Sequence, residues 1–115
     1  MIINNEKGSI EITNEVFTVI AGDAATNCFG VRGMAYKNVK DGIVSLLKRE
    51  NMAKGISVTF EDEKVNIDVH IIVEHGVNIP AICESIINEV KYNVERVTRV
   101  NVGRVNVNVA SVMAE

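Results

Sequence analysis

The chain has 115 residues, of which 47% are hydrophobic, 23% charged and 4% aromatic, with a formal net charge of −3. That length is expected to form one domain, residues 1–115, large enough to bury a core without disulfides or metal. The acidic balance, with no block of like charges, lacks the basic footprint that nucleic acid or anionic lipid requires, and no apolar run approaches the roughly 18 residues of a spanning helix.

Gly8 to Ile12 reads as a first strand with Ile10 and Ile12 turned inward. Thr13 then suits a helix N-cap, and Ile12 ahead of it can staple against Phe17. Val16, Phe17, Ile20, Ala21, Ala24, Ala25 and Cys28 recur at helical spacing, and the alanines make one side thin enough to lie close to whatever it covers. Gly22 weakens the middle of this helix by about 1 kcal/mol against alanine unless another backbone approaches closely there, and Gly30 is a natural stop in the left-handed conformation. Val31 is a candidate start for a short strand. Met34 to Val39 has no clear period, Asp41 to Arg49 reads as a short helix, and Met52 to Gly55 as a loop. Ile56, Val58 and Phe60 alternate as a strand, which the polar turn Glu61 to Lys64 joins to the next as a hairpin.

Val65, Ile67, Val69, Ile71 and Val73 alternate with Asn66, Asp68, His70 and Ile72, the period of a strand with one buried face. Pro80 fits the first helical position, with Asn78 or Ile79 as the cap. Ile79, Ile82, Cys83, Ile86, Val90, Val94 and Val97 then form a helical stripe. Val100 and Val102, followed by Val105, Val107 and Val109, point inward in a last strand. Their parity changes across Gly103 and Arg104, which predicts a bulge there. The elements add up to an α+β fold in the order β-α-α-β-β-α-β, with about four strands in a mainly antiparallel sheet and helices packed on one face.

Little in this chain suggests chemistry. Gly30 and Gly33 sit outside any phosphate-binding glycine motif and in surroundings that are not basic, so a helix stop and tight turn explain them. His70 and His75 would point to opposite faces of a continuing strand and converge poorly on a metal; solvated polar positions are the simpler reading. Cys28 and Cys83 lie on apolar stripes with neither a Cys-x-x-Cys nor a Cys/His ligand cluster, which favours reduced, buried thiols over a redox pair or a disulfide. Glu61, Asp62 and Glu63 are a hairpin tip, and no serine has a nucleophile context. No catalytic, cofactor-binding or metal-ligating residue is therefore assigned, and no cofactor is expected. Asn101, Arg104, Asn106 and Asn108 would line the outer face of the last strand with no acidic residue among them. They form either a solvated polar face or, if that strand is a sheet edge, a surface for self-association or a partner.

Several segments, in order, resemble the alkaline shock protein family, the envelope stress response proteins of Gram-positive bacteria. They are Gly8 to Thr13, the helix from Val16 to Ala25, Gly30 to Met34, Lys54 to Val58, Val73 to Pro80 and Val105 to Val109, which together cover nearly the whole chain. The family usually carries an acidic residue where this chain has Asn27 and commonly an aromatic one near His75; both are details of helix end or hairpin. The long charged tails of some members have no counterpart here, so functions housed in them are not carried over. The resemblance implies a cytoplasmic, non-enzymatic protein of the envelope stress response. It further implies gathering beside the membrane through a membrane-anchored partner protein, without insertion into the bilayer. A small ligand- or nucleic-acid-binding α+β module is the alternative, although the charge argues against nucleic acid.

Overall fold

The computed structural model describes residues 1–35 and 55–114, in which the elements run β1 (Ile2–Asn5), β2 (Gly8–Glu11), α1 (Asn14–Thr26), β3 (Val31–Met34), β4 (Ile56–Glu61), β5 (Lys64–Val73), α2 (Ile79–Thr98) and β6 (Val102–Val112). The expected Asp41 to Arg49 helix, and most of the stretches on either side of it, lie outside the described residues.

β5 is the centre of the sheet. Along one flank β4 pairs with it antiparallel from Glu61↔Lys64 to Ile56↔Val69, and β3 takes over from Met34↔Ile71 to Val31↔Val73. Along the other flank β6 runs parallel, from Val65↔Val102 to Val73↔Val112. The sheet is thus mixed, antiparallel at β3 and β4 as the sequence suggests and parallel at β6. α2 is the reason: its 20 residues return the chain to the starting end of β5, the long crossover that a parallel neighbour needs.

Val65, Ile67, Val69, Ile71 and Val73 are all fully buried, in one cluster with Phe17, Ala21 and Ala25 of α1 and Ile82, Ile86, Val90 and Val94 of α2. Burying a side chain of this size is worth roughly 1.5–3 kcal/mol, so this alternation is the largest single contribution to the core. Asn78 caps α2, its Oδ1 accepting the Ala81 N–H at 3.1 Å, with Pro80 in the first turn. At the far end Arg99 takes a left-handed φ of 62°. The Thr98 hydroxyl accepts the Val100 N–H at 3.1 Å, and Glu95 Oε2 accepts the Val102 N–H at 3.0 Å. These bonds tie the end of the helix to the start of β6.

The predicted bulge is present. Pairing passes from Val65↔Val102 to Asn66↔Arg104, leaving Gly103 as the extra residue, where an added Cβ would lie 2.6 Å from Asn66 Oδ1. A second irregularity, at Ala110, separates Ile71↔Val109 from Ile72↔Ser111.

Four readings need correction. The first strand, β2, does not join the main sheet; it pairs with β1 in a hairpin of its own, where Ile10 faces Ile3 and is 54% exposed rather than inward. Thr13 occupies the N-cap of α1, but its side chain makes no cap bond. Val16 and Val97 share the helical periods without sharing the burial, because each helix buries a narrower stripe than its sequence offers. Cys83 is half-buried rather than buried.

Candidate functional site

Residues paired across neighbouring strands project to the same face, so the register lays out the side of the sheet opposite α1 and α2. Thr59, Asn66 and Arg104 form one row, Ser57, Asp68 and Asn106 the next, and His70 stands beside Asn108. The central members Asn66, Asp68 and His70 are half-buried between their neighbours, while Arg104, Asn106 and Asn108 are exposed. Asn106 Nδ2 donates to Asp68 Oδ1 at 2.7 Å. A shallow depression of about 510 Å³ opens here, lined among others by Glu61, Asp62, Lys64, Asp68 and Arg104. Those three carboxylates outnumber the two cations, a balance unsuited to a phosphate backbone.

The structure brings together three of the four residues singled out from the sequence. Asn101 is separate: it precedes β6 and lines another depression with Met1, Ile3, Glu63 and Arg99. Asp68 belongs to the surface although the reading of β6 alone placed no acid there. Its own alternation put it on the polar face of β5, but which strand lay beside it required the parallel pairing.

β6 is also an edge. Among the described residues it pairs with β5 and with no other strand. Between Gly103 and Ala110 the six residues Arg104 to Val109 keep an unbroken register, a run of roughly 20 Å. β6 contains neither proline nor lysine, two of the usual defences of an exposed edge. Arg104 and the flanking irregularities are its protection.

The other candidate chemistry stays dispersed. His70 lies on the open face and His75 in the exposed turn after β5. Among the described residues no group of three or more His, Cys, Asp or Glu is arranged to hold a metal ion. Cys28 is buried, its Sγ donating to the Ala24 carbonyl at 3.3 Å. Burial pushes its thiol up; the Ser85 hydroxyl opposes this and Glu89 adds to it. Burial raises Cys83 as well, and a thiol held protonated is a weak nucleophile. Gly30 has a φ of +85° and packs under Ile82, so it serves a turn rather than a ligand. A second groove, between α1 and α2, is lined by Ile20, Cys28, Phe29, Glu89 and Val97 among others. Phe29, 87% exposed there, went unnoticed in the sequence because it lies just beyond the helical stripe. No helix among the described residues is long and apolar enough to cross a membrane.

These features define an α+β protein that, among the described residues, offers a polar sheet face and a strand edge with no second neighbour. A model of the Asp23 family, described as having a cell envelope-related function, matches residues 2–114. The chain belongs to that family (a name unconnected with the side chain at position 23), which bears out the resemblance to alkaline shock proteins. It is 39% identical over 111 residues to the uncharacterized protein YloU of Bacillus subtilis, covering 96% of this chain and 92% of that one. YqhY of the same organism is 31% identical over 105 residues, covering 91% and 77%. A stress response regulator gls24 homolog of Streptococcus pyogenes is 30% identical over 109 residues, covering 92% of this chain and 59% of the relative.

Proposed function

We propose that the chain is a non-enzymatic interaction protein of the envelope stress response, working in the cytoplasm beside the membrane. A membrane-anchored partner protein holds it there, gripped through the open face and β6 edge of the sheet, which also serve self-association. The observation that carries this reading is the regular run Arg104 to Val109, an edge that pairs only with β5 among the described residues and carries exposed amides. The family's cell envelope-related description and the regulator name of the gls24 homologs support the stress role. A role without catalysis is supported by the spread of the polar groups, which form a stripe along the sheet instead of converging on an enclosed cavity.

The test is an in-cell crosslink and pull-down with the tagged chain, comparing membrane and cytosolic fractions by mass spectrometry for wild type and Asn106→Glu. The substitution removes the donor to Asp68 and sets a second carboxylate beside it. Recovery of a small membrane protein by the wild type, lost in a variant that keeps its circular dichroism spectrum, is the expected result. Recovery of only metabolic or RNA-associated cytosolic proteins, or of the same membrane protein by the variant, would overturn the proposal.

A further inference from the structure

The free flank of β6 fits a second copy of this chain, and we propose that two copies pair their β6 strands antiparallel about Val107, joining two four-stranded sheets into one of eight. This deepens the preceding reading, resting on it for the use of the edge and naming the occupant.

Three features of the strand point to this partner. The first is incomplete burial on the helix side. The inward residues of β5 are all fully buried, whereas on β6 Val102 and Val105 keep 7% and 8% of their surface exposed and Val107 and Val109 are only half-buried. A valine stripe half covered along a bare edge has room for a neighbouring strand that carries the same stripe. The second is self-complementarity. A two-fold axis at Val107 sets Val105 opposite Val109 of the second copy, and Asn106 opposite its Asn108. Valine meets valine on the helix side and amide meets amide on the open side, twice over by symmetry. Asn106 Nδ2 is turned toward β5 by its bond to Asp68, which leaves the amide oxygen on the edge side to accept from Asn108 of the second copy.

The third feature is charge. Arg104 is the one charged residue of β6. The two-fold pairing places it opposite Ala110 of the second copy, at the limit of the regular run. A parallel, in-register pairing would set Arg104 against its own copy, an unfavourable arrangement. The joined sheet would double the polar face, so that an anchored partner would meet two Asp68–Asn106 pairs side by side. A ladder of six residues falls short of the roughly 800 Å² per partner of a stable complex, so the pairing is expected to be weak and dependent on local concentration.

Sedimentation equilibrium of the full chain across the micromolar range reads the stoichiometry. Disulfide trapping reads the register: Asn106→Cys and Asn108→Cys variants, each in a Cys83→Ser background, are oxidised separately and as a mixture. Directly opposed positions fall within disulfide reach, so the mixture should give several-fold more linked dimer than either variant alone. A monomer–dimer equilibrium with that preference supports the proposal. Monomer at every concentration, a dimer with no preference for the mixture, or open-ended growth to larger species would overturn it. The two readings fail separately. If the chain stays monomeric while Asn106→Glu still loses the membrane-fraction partner, the second copy is the wrong occupant. If the dimer forms and no such partner is recovered, the pairing stands and the tethered role falls.

Discussion

Replacing Gly30 with alanine would test how the turn between α1 and β3 is locked against α2. Gly30 has a φ of +85°, and a Cβ there would lie 2.4 Å from Ile82 Cδ1, 3.2 Å from Ile82 Cγ1 and 3.3 Å from Val77 Cγ1. Two costs follow. Holding an alanine in the left-handed region costs about 1–2 kcal/mol. Rotation can move Ile82 Cδ1 aside, but Cγ1 is fixed by a stiff χ1 on a buried helix face, so overpacking adds about 1–3 kcal/mol. A combined loss of about 3 kcal/mol is a large part of the roughly 5–15 kcal/mol that holds such a domain together. At about 4 °C for each kcal/mol, the melting temperature should fall by about 12 °C.

Gly76 supplies the control, since its φ is +82° and an added Cβ meets nothing within 4 Å. Gly76→Ala should therefore show the backbone cost alone, about 1–2 kcal/mol. Ile82→Val deletes the closest clashing atom at a cost of about 1 kcal/mol by itself. Combined with Gly30→Ala it should recover about 1 kcal/mol relative to the sum of the single losses. Urea unfolding followed by far-ultraviolet circular dichroism measures all four. A Gly30→Ala loss no larger than that of Gly76→Ala, or strict additivity with Ile82→Val, would refute the steric argument.

Three further outcomes are expected. Asn78→Ala should cost about 1 kcal/mol in chemical denaturation, whereas Thr13→Ala should cost under about 0.5 kcal/mol, because only the first side chain makes a cap bond. Asp62 and Glu63 form a two-residue hairpin turn with φ of 51° and 63°, so the double change Asp62→Asn, Glu63→Gly should raise stability by about 1 kcal/mol, read as a higher melting temperature. Burial raises both thiols above 9.0, so above that pH the unfolded chain releases protons that the native one keeps. Their contribution is fully present below about pH 9 and is lost as the pH rises further. Stability measured against pH should fall more steeply in the wild type than in Cys28→Ala, Cys83→Ser.

The alternation of Val65 to Val73 and the stripe from Ile82 to Val94 identified the core because period and burial coincide when an element packs on one side. The bulge at Gly103 was legible for the same reason, since a change of parity has few other physical causes. What remained hidden depended on pairing. Nothing local in Gly8 to Glu11 says that its partner is Ile2 to Asn5 instead of the main sheet, and an isoleucine reads alike in either place. Val97 keeps the helical period but turns toward the groove between the helices, which only their packing reveals. Asn106 and Asn108 were visible as an outer face, yet Asp68 reached it through strand order, a non-local fact. Asn101 left it because β6 begins one residue later.

The buried core and the proposed recognition surface lie on opposite faces of one sheet, and that separation is what makes the proposal testable. The helix side holds the fully buried valines and isoleucines, where truncation to alanine costs about 2–5 kcal/mol. On the open side, Thr59 and Asn108 are exposed, and substitutions at such positions usually stay within about 0.5 kcal/mol. A charge placed at Asn108 should thus leave the fold standing while it disturbs whatever lies against the edge. Asn106 differs, because its bond to Asp68 couples the edge to the central strand. If Asn108→Glu and Asn106→Glu abolish the same association while differing in their effect on stability, the loss belongs to the surface. If binding instead tracks stability from one variant to the other, the open face would be scaffold and the search for the contact would move to the groove beside Phe29.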